Sequence, residues 1–282
     1  MLKLELFDET FDPDRTESYE LSIQVSLNGF SFYVKDLVRN YFIGLGSCPF
    51  ELGVVSSGDW SQQVEYITST YNWFTKPFKR VLFSYESPSY TIVPSKYFEP
   101  EKAKQILNLS HSIDELDEVW FNTNHNGMVS IFNIPSMLIT SWLKIQRDSK
   151  VLGFCDSSLQ FHMQSLKEDS HPSITISFTN KFSTIIVSKG RTLLHCGSIE
   201  SHSFDDTLYH MVNICKHLGV ETGNTTVKTM GFIDNAETLE SLIERFFKSV
   251  SVATTLGQNH FSYLLVKYKG RFANLFNQSL CE

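Results

Sequence analysis

The chain has 282 residues, 41% of them hydrophobic and 20% charged, with a net charge of −7. That length holds two ordinary domains or one large one, and that composition supplies a full core, which excludes a disordered chain. The acidic balance without a basic block argues against a nucleic-acid partner.

The opening LKLELF alternates Leu2, Leu4 and Leu6 on one side, a strand by its period of two. An acidic connection from Asp8 to Glu17 follows, kept irregular by Pro13. No basic stretch leads into an apolar run, so no secretory signal is expected. Residues 20 to 35 predict a hairpin about Asn28-Gly29, a dipeptide suited to a type I′ turn, and RNYFIGLGSCPF supplies a third strand. A helix starting at Asp59 as N-cap carries Trp60, Val64, Ile67, Tyr71 and Phe74 on one face.

Beyond Pro77, FKRVLFSY reads as a strand, SYTIVPSKYF as an extended run to Pro94, and PEKAKQILNL as a short helix with Pro100 in its first turn. DEVWFNTN and GMVSIFNIP predict two strands around Asn126-Gly127, and SMLITSWLKIQ a helix capped by Ser136. KVLGFC then predicts a strand and SSLQFHMQSL a helix. The uncharged stretch from Val119 to Leu143 is broken by asparagines and Pro135, unlike a membrane span. The chain turns polar from Ser165 to Pro172, which places the expected boundary between domains 1–168 and 169–282.

The pattern then restarts. A hairpin over 173–189 and a strand over 191–197 lead to a helix capped by Ser203 and stopped by Gly219, with Phe204, Leu208, Met211, Val212, Cys215 and Leu218 on its apolar side. TTVKTMGFI is a strand, AETLESLIERFF a helix with Leu239, Leu242, Ile243 and Phe246 inward, SVSVATTL a strand, and FSYLLVKYKGRFANLF a candidate closing helix. Laid side by side, residues 22–27 (SIQVSL) fall against 173–178 (SITISF), and Phe30-Ser31 against Phe182-Ser183 after one inserted residue. Each copy reads hairpin, strand, helix, strand, helix, strand, which predicts an α/β chain with two mixed five-stranded sheets.

This order resembles the duplicated ribonuclease-H-like lobes of the actin, sugar kinase and heat-shock ATPase superfamily. The stretch 134–166 is similar to the connection between lobes in its pilus-assembly and secretion-system members. YTIVPSKYFEPEKAKQIL, VSIFNIPSMLITSWL and RTLLHCGSIESHSFDDTLYHMVNICKHLGVE are similar to an uncharacterised bacterial family with an actin-like fold and no assigned function. The resemblance implies two lobes with a cleft between them, faced by the loops after Val25 and Ile176 and by the helix start at Ser203.

It also implies a phosphate loop, D-x-G-[TS], in each first hairpin. Here the positions are Ser26, Asn28 and Gly29 in the first copy and Ser177, Thr179 and Asn180 in the second, with no Asp among them. Bulky Leu27 and Phe178 would obstruct a close backbone approach, and GFIDNAETLESL lacks the glycine-rich adenosine loop. The expected reading is a non-catalytic actin-like protein with no catalytic residue, metal or cofactor. It would act on a protein partner or ligand at the cleft, and self-association is a further expectation. The alternative is a divergent ATPase or kinase holding Mg-ATP, with Asp36, Asp156, Asp205 or Asp234 supplying the carboxylate.

Other candidates reduce to structure. His195 and Cys196 are adjacent in a strand and point to opposite faces, so they do not form a nucleophile pair. Asp205 and Asp206 suit a helix first turn, and His210 and His217 stand too far apart to share an ion. The Gly44–Gly46 G-x-G lacks dinucleotide context. Lys35, Arg39, Lys76, Lys79 and Arg80 read as solvated surface, while an exposed Trp73 or Tyr90 would mark an interface. Five widely spaced cysteines without C-x-x-C predict reduced, mostly buried thiols in a cytoplasmic protein.

Overall fold

The computed structural model describes residues 3–50, 59–123, 127–166, 171–201, 203–257 and 259–281. Its contacts divide the chain into two compact units, Met1–Phe154 with Gly257–Lys267, and Cys155–Leu256 with Tyr268–Glu282. Among the described residues no helix is long and apolar enough to cross a membrane. The expected Asn126 turn residue lies outside the described residues, as does His202, the neighbour of the expected Ser203 cap.

The first unit is built on β1 (Leu4–Phe7), β2 (Tyr19–Ser26), β3 (Gly29–Asp36), β4 (Tyr41–Pro49), β5 (Arg80–Tyr85) and β9 (Lys150–Gly153). Their sheet runs β1-β4-β3-β2-β5-β9, and β15 (His260–Phe261) joins it in parallel beside β4. β2 and β3 are buried along their whole length, as strands in the middle of a sheet covered on both faces must be. α1 (Asp59–Thr70) and the turn after it bury the expected Trp60, Val64, Ile67, Tyr71 and Phe74. These rings surround Phe32, with Tyr71 at 4.8 Å and Phe74 at 4.9 Å between centroids.

Between β5 and β9 stands a separate sheet that the expected repeat order did not include. It pairs β6 (Tyr90–Pro94), β8 (Met128–Pro135) and β7 (Asp117–Thr123), with α2 (Ala103–Asn108) packed on it through Leu107. α3 (Ser136–Ile145) buries Leu138, Ile139 and Trp142. Ser136 does not cap it: Pro135 holds the cap position and the Ser136 hydroxyl donates to Glu118 at 2.9 Å. Trp73 and Tyr90 are buried, so neither marks an interface.

The second unit carries β10 (Pro172–Phe178), β11 (Phe182–Lys189), β12 (Thr192–Glu200), β13 (Thr226–Gly231) and β14 (Ser249–Val252) in the order β12-β11-β10-β13-β14. α5 (Phe204–His217) and α6 (Ala236–Glu244) cover one face with Leu208, Met211, Cys215, Leu239 and Ile243 against Ile174, Ile176 and Ile185. The Ser203 hydroxyl accepts from Asp206 N at 3.1 Å, the expected N-cap. The end of α5 is a Schellman motif: Gly219 adopts φ +66°, and Val220 N reaches Cys215 O at 2.8 Å. Phe246 is 44% exposed and Phe247 takes the inward place, because α6 ends at Glu244. The expected closing helix resolves into short turns around α7 (Ala273–Phe276).

The division between units falls before the polar run, because α4 (Phe154–Ser165) packs on the second sheet. Phe161 joins a core with Met230, Ala253 and Ala273. His162 bridges Thr175 at 2.8 Å and Ser188 at 2.9 Å. Burial without a countercharge drives the His162 imidazole down to about 3 from its ordinary value, and Lys228 nearby adds to the shift, so the ring is neutral.

The duplication is real, but its register differs from the sequence alignment. Ser26 pairs with Gly29 across the first hairpin as Thr179 bonds to Phe182 across the second. Both copies shift register at one place, between Val34 and Lys35 and between Val187 and Ser188. Ser26 therefore corresponds to Thr179, and Ser177 to Gln24. The alignment that set Ser26 against Ser177 is two residues off. A two-residue slip keeps every side chain on its face, so alternation alone cannot detect it.

Candidate functional site

Both hairpin tips are closed by their own hydroxyls. Ser26 Oγ donates to Gly29 O at 3.1 Å and accepts from Asn28 N at 3.3 Å. Thr179 Oγ1 donates to Phe182 O at 2.9 Å and accepts from Lys181 N at 3.1 Å and Phe182 N at 3.0 Å. A phosphate loop needs such N–H groups aimed outward at the anion. Here a side chain engages them from within.

The first tip is not the expected type I′ turn. Leu27 and Asn28 occupy the two loop positions, and neither has the positive φ that such a turn requires. Leu27 is exposed, so it does not fill the space above the sheet. A carboxylate that sequence reasoning missed, Glu86, reaches the end of β2 and accepts from Gln24 Nε2 at 3.1 Å. The parallel pairing of β2 with β5 brings it there, and nothing in the local sequence announces that pairing.

Two of the five cations read as surface turn inward. Arg80 Nε pairs with Glu20, whose carboxylate is fully buried and also accepts from Tyr33 OH at 2.5 Å. Burial and the neighbouring Glu20 charge push the Tyr33 hydroxyl well up from its ordinary value. Lys35 lies over the Phe42 ring and donates to Asn259 at 3.0 Å. Asp36, one of the alternative metal carboxylates, is held by Arg39 at 2.7 Å. Asp156 stands in the first turn of α4.

The remaining two candidates, Asp205 and Asp234, come together. In the second unit a cavity of about 460 Å³ opens at the end of β10, bounded by the hairpin, the start of α5 and the start of α6. Phe178, Phe204, Phe232 and Leu242 form its apolar wall. Thr179 and Asn180 edge it, while Ser177 belongs to the opposite face, where its buried Oγ has no partner. Among the described residues, no Lys, Arg or His lines it. Among the described residues no group of three or more His, Cys, Asp or Glu side chains could hold a metal ion.

Against Mg-ATP, these residues do not fit. The hairpins carry no carboxylate, Ser26 and Thr179 engage the N–H groups of Asn28, Lys181 and Phe182, and the cavity beside the second hairpin presents two acids and, among the described residues, no cation to a polyphosphate. His195 faces the α5 side over Gly197, and Cys196 the other, so the pair does not converge. The G-x-G of β4 serves packing: a Cβ at Gly46 would stand 2.1 Å from the Phe32 ring.

The family model for DUF3822, described as a protein of unknown function, matches residues 8–250, and the chain belongs to that family. No curated protein matches the chain. Among solved structures it is similar to a Bacteroides thetaiotaomicron protein with an actin-like ATPase fold and unknown function, at 18% identity and a TM-score of 0.80, covering 97% of this chain and 100% of that one. It is also similar to the PilM-PilN type IV pilus biogenesis complex, at 11% identity and a TM-score of 0.59, covering 95% and 98%. The fold is the actin-like ATPase fold, with mixed sheets.

Proposed function

We propose that this member of the DUF3822 family is a non-catalytic actin-like protein that acts by binding a protein partner or ligand, without nucleotide chemistry. The carrying observation is the closure of both hairpins by Ser26 and Thr179, which engages the N–H groups of Asn28, Lys181 and Phe182 from within. The PilM-PilN complex supports a partner-binding role, since that similar structure is an assembly of two proteins. Five free cysteines support a reducing, cytoplasmic setting.

A second reading has one observation in its favour. Asp205 and Asp234 line a single cavity beside the second hairpin, so a divergent ATPase could draw its carboxylates from them. Calorimetry with Mg-ATP decides between the two. No heat of binding is expected; micromolar binding that disappears in Asp205→Asn with Asp234→Asn would establish the second reading and overturn the first.

A further inference from the structure

We infer that the cavity of the second unit takes a cation on an apolar stem, an alkylguanidinium or alkylammonium group. This rests on the binding role proposed above and gives it a ligand class. The first support is charge. Asp205 and Asp234 both line the cavity, and among the described residues no basic side chain lines it with them and neither carboxylate has a hydrogen-bond or ion-pair partner. Capping does not require either acid: Ser203 caps α5 and Asn235 caps α6 through their own side chains. Both stand exposed at the starts of their helices, within reach of a ligand.

The second support is the state of the hydroxyls. Thr179 is engaged with its own hairpin, Thr207 donates to Ser203 O at 3.2 Å, and Ser183 and Ser201 bond to each other at 3.3 Å. A sugar or polyol would find these four hydroxyls already satisfied, with the Thr238 hydroxyl and the Asn180 amide left open, whereas a cation would meet two carboxylates without a partner among the described residues. The third support is the wall. Phe178 and Phe204 stand edge to face at 5.8 Å, an aromatic lining suited to a cation and its methylene stem. The Arg271 guanidinium, which is not part of the described lining, stands 4.9 Å from the Phe232 ring centre, the kind of contact an aromatic ring offers a cation. The volume, about 460 Å³, lies within the roughly 300–1,000 Å³ of small-ligand sites.

The test is calorimetry on the whole chain at low salt with agmatine, a free alkylguanidinium, and with a short neutral peptide bearing one arginine. At least one is expected to bind, weakening about tenfold or more in Asp205→Asn with Asp234→Asn and with added salt. Tighter binding of the peptide assigns the cation to a protein partner; tighter binding of agmatine assigns it to a free amine. Should the double variant fail to fold, backbone NMR shifts of the wild type must centre on residues 178–180, 203–207 and 232–238. Binding by neither probe, binding undiminished in a folded variant, or shifts elsewhere would overturn the inference. The non-catalytic reading would survive that failure, because it falls to Mg-ATP binding alone.

Discussion

The two units share a strand order and a bulge, yet they solve the same packing problem with different chemistry. The first packs rings around Phe32 and buries a charged set, Glu20 with Arg80 and Tyr33. The second packs aliphatic side chains under α5 and α6, and on its other face buries hydroxyls around the neutral His162. A shared topology therefore constrains backbone pairing and little of what fills the interior. The same divergence reaches the hairpins: Ser26 and Thr179 make one set of turn bonds, but the described cavity lies beside Thr179.

The largest test of this contrast is Glu20→Ala. It leaves Arg80 and Tyr33 facing a vacancy in the first unit and should cost about 3–5 kcal/mol, read by urea denaturation. All four tryptophans lie in the first unit, so their fluorescence reports its unfolding specifically. A loss below about 1 kcal/mol would mean that the charged set contributes nothing structural.

Paired glycines give a smaller effect. Gly46 lies across from Phe32 and Gly197 across from Ile185, at corresponding places in the two sheets. A Cβ at Gly46 would stand 2.1 Å from a ring hemmed in by Tyr71, Trp73 and Phe74; at Gly197 it would stand 3.1 Å from the His195 ring. Gly46→Ala should cost about 2–3 kcal/mol and Gly197→Ala less than about 1. Equal losses would break the contrast between the cores.

Acid separates the units next. His162 titrates near its ordinary value of 6.5 when unfolded and at about 3 when folded, so below pH 6.5 the unfolded chain binds the extra proton. Stability of the second unit is whole above that point and falls with pH across the window from 6.5 to about 3, by about 2 kcal/mol at pH 5. Hydrogen exchange should show its amides losing protection there, and His162→Gln should flatten the dependence. The same slope in His162→Gln would assign the effect to other groups. A small change of the second unit alone is Ser203→Ala, which removes the α5 cap and should cost about 1 kcal/mol without altering the first unit's fluorescence transition.

Much of the fold was legible because its signals are local. The helix faces of α1 and α5, the Ser203 cap, the Gly219 stop and the strand order of the second copy follow from periodicity and from single-residue conformational preferences. Of the candidate site, the hairpin position of Thr179 and Asn180 and the start of α5 were readable. Glu86 at the end of β2 was not, nor was the meeting of Asp205 with Asp234, since residues far apart in the chain become neighbours through strand pairing and helix packing.

What the sequence determined by itself was which elements form and which side of each is apolar, because those depend on neighbours a few residues away. The tertiary structure decided three further things. It set the register of the duplication, which a period of two leaves open to a two-residue slip. It assigned α4 to the second sheet, because His162 and Phe161 find their partners there. And it turned Glu20 and Arg80 inward as a pair, because parallel strands 60 residues apart place them side by side.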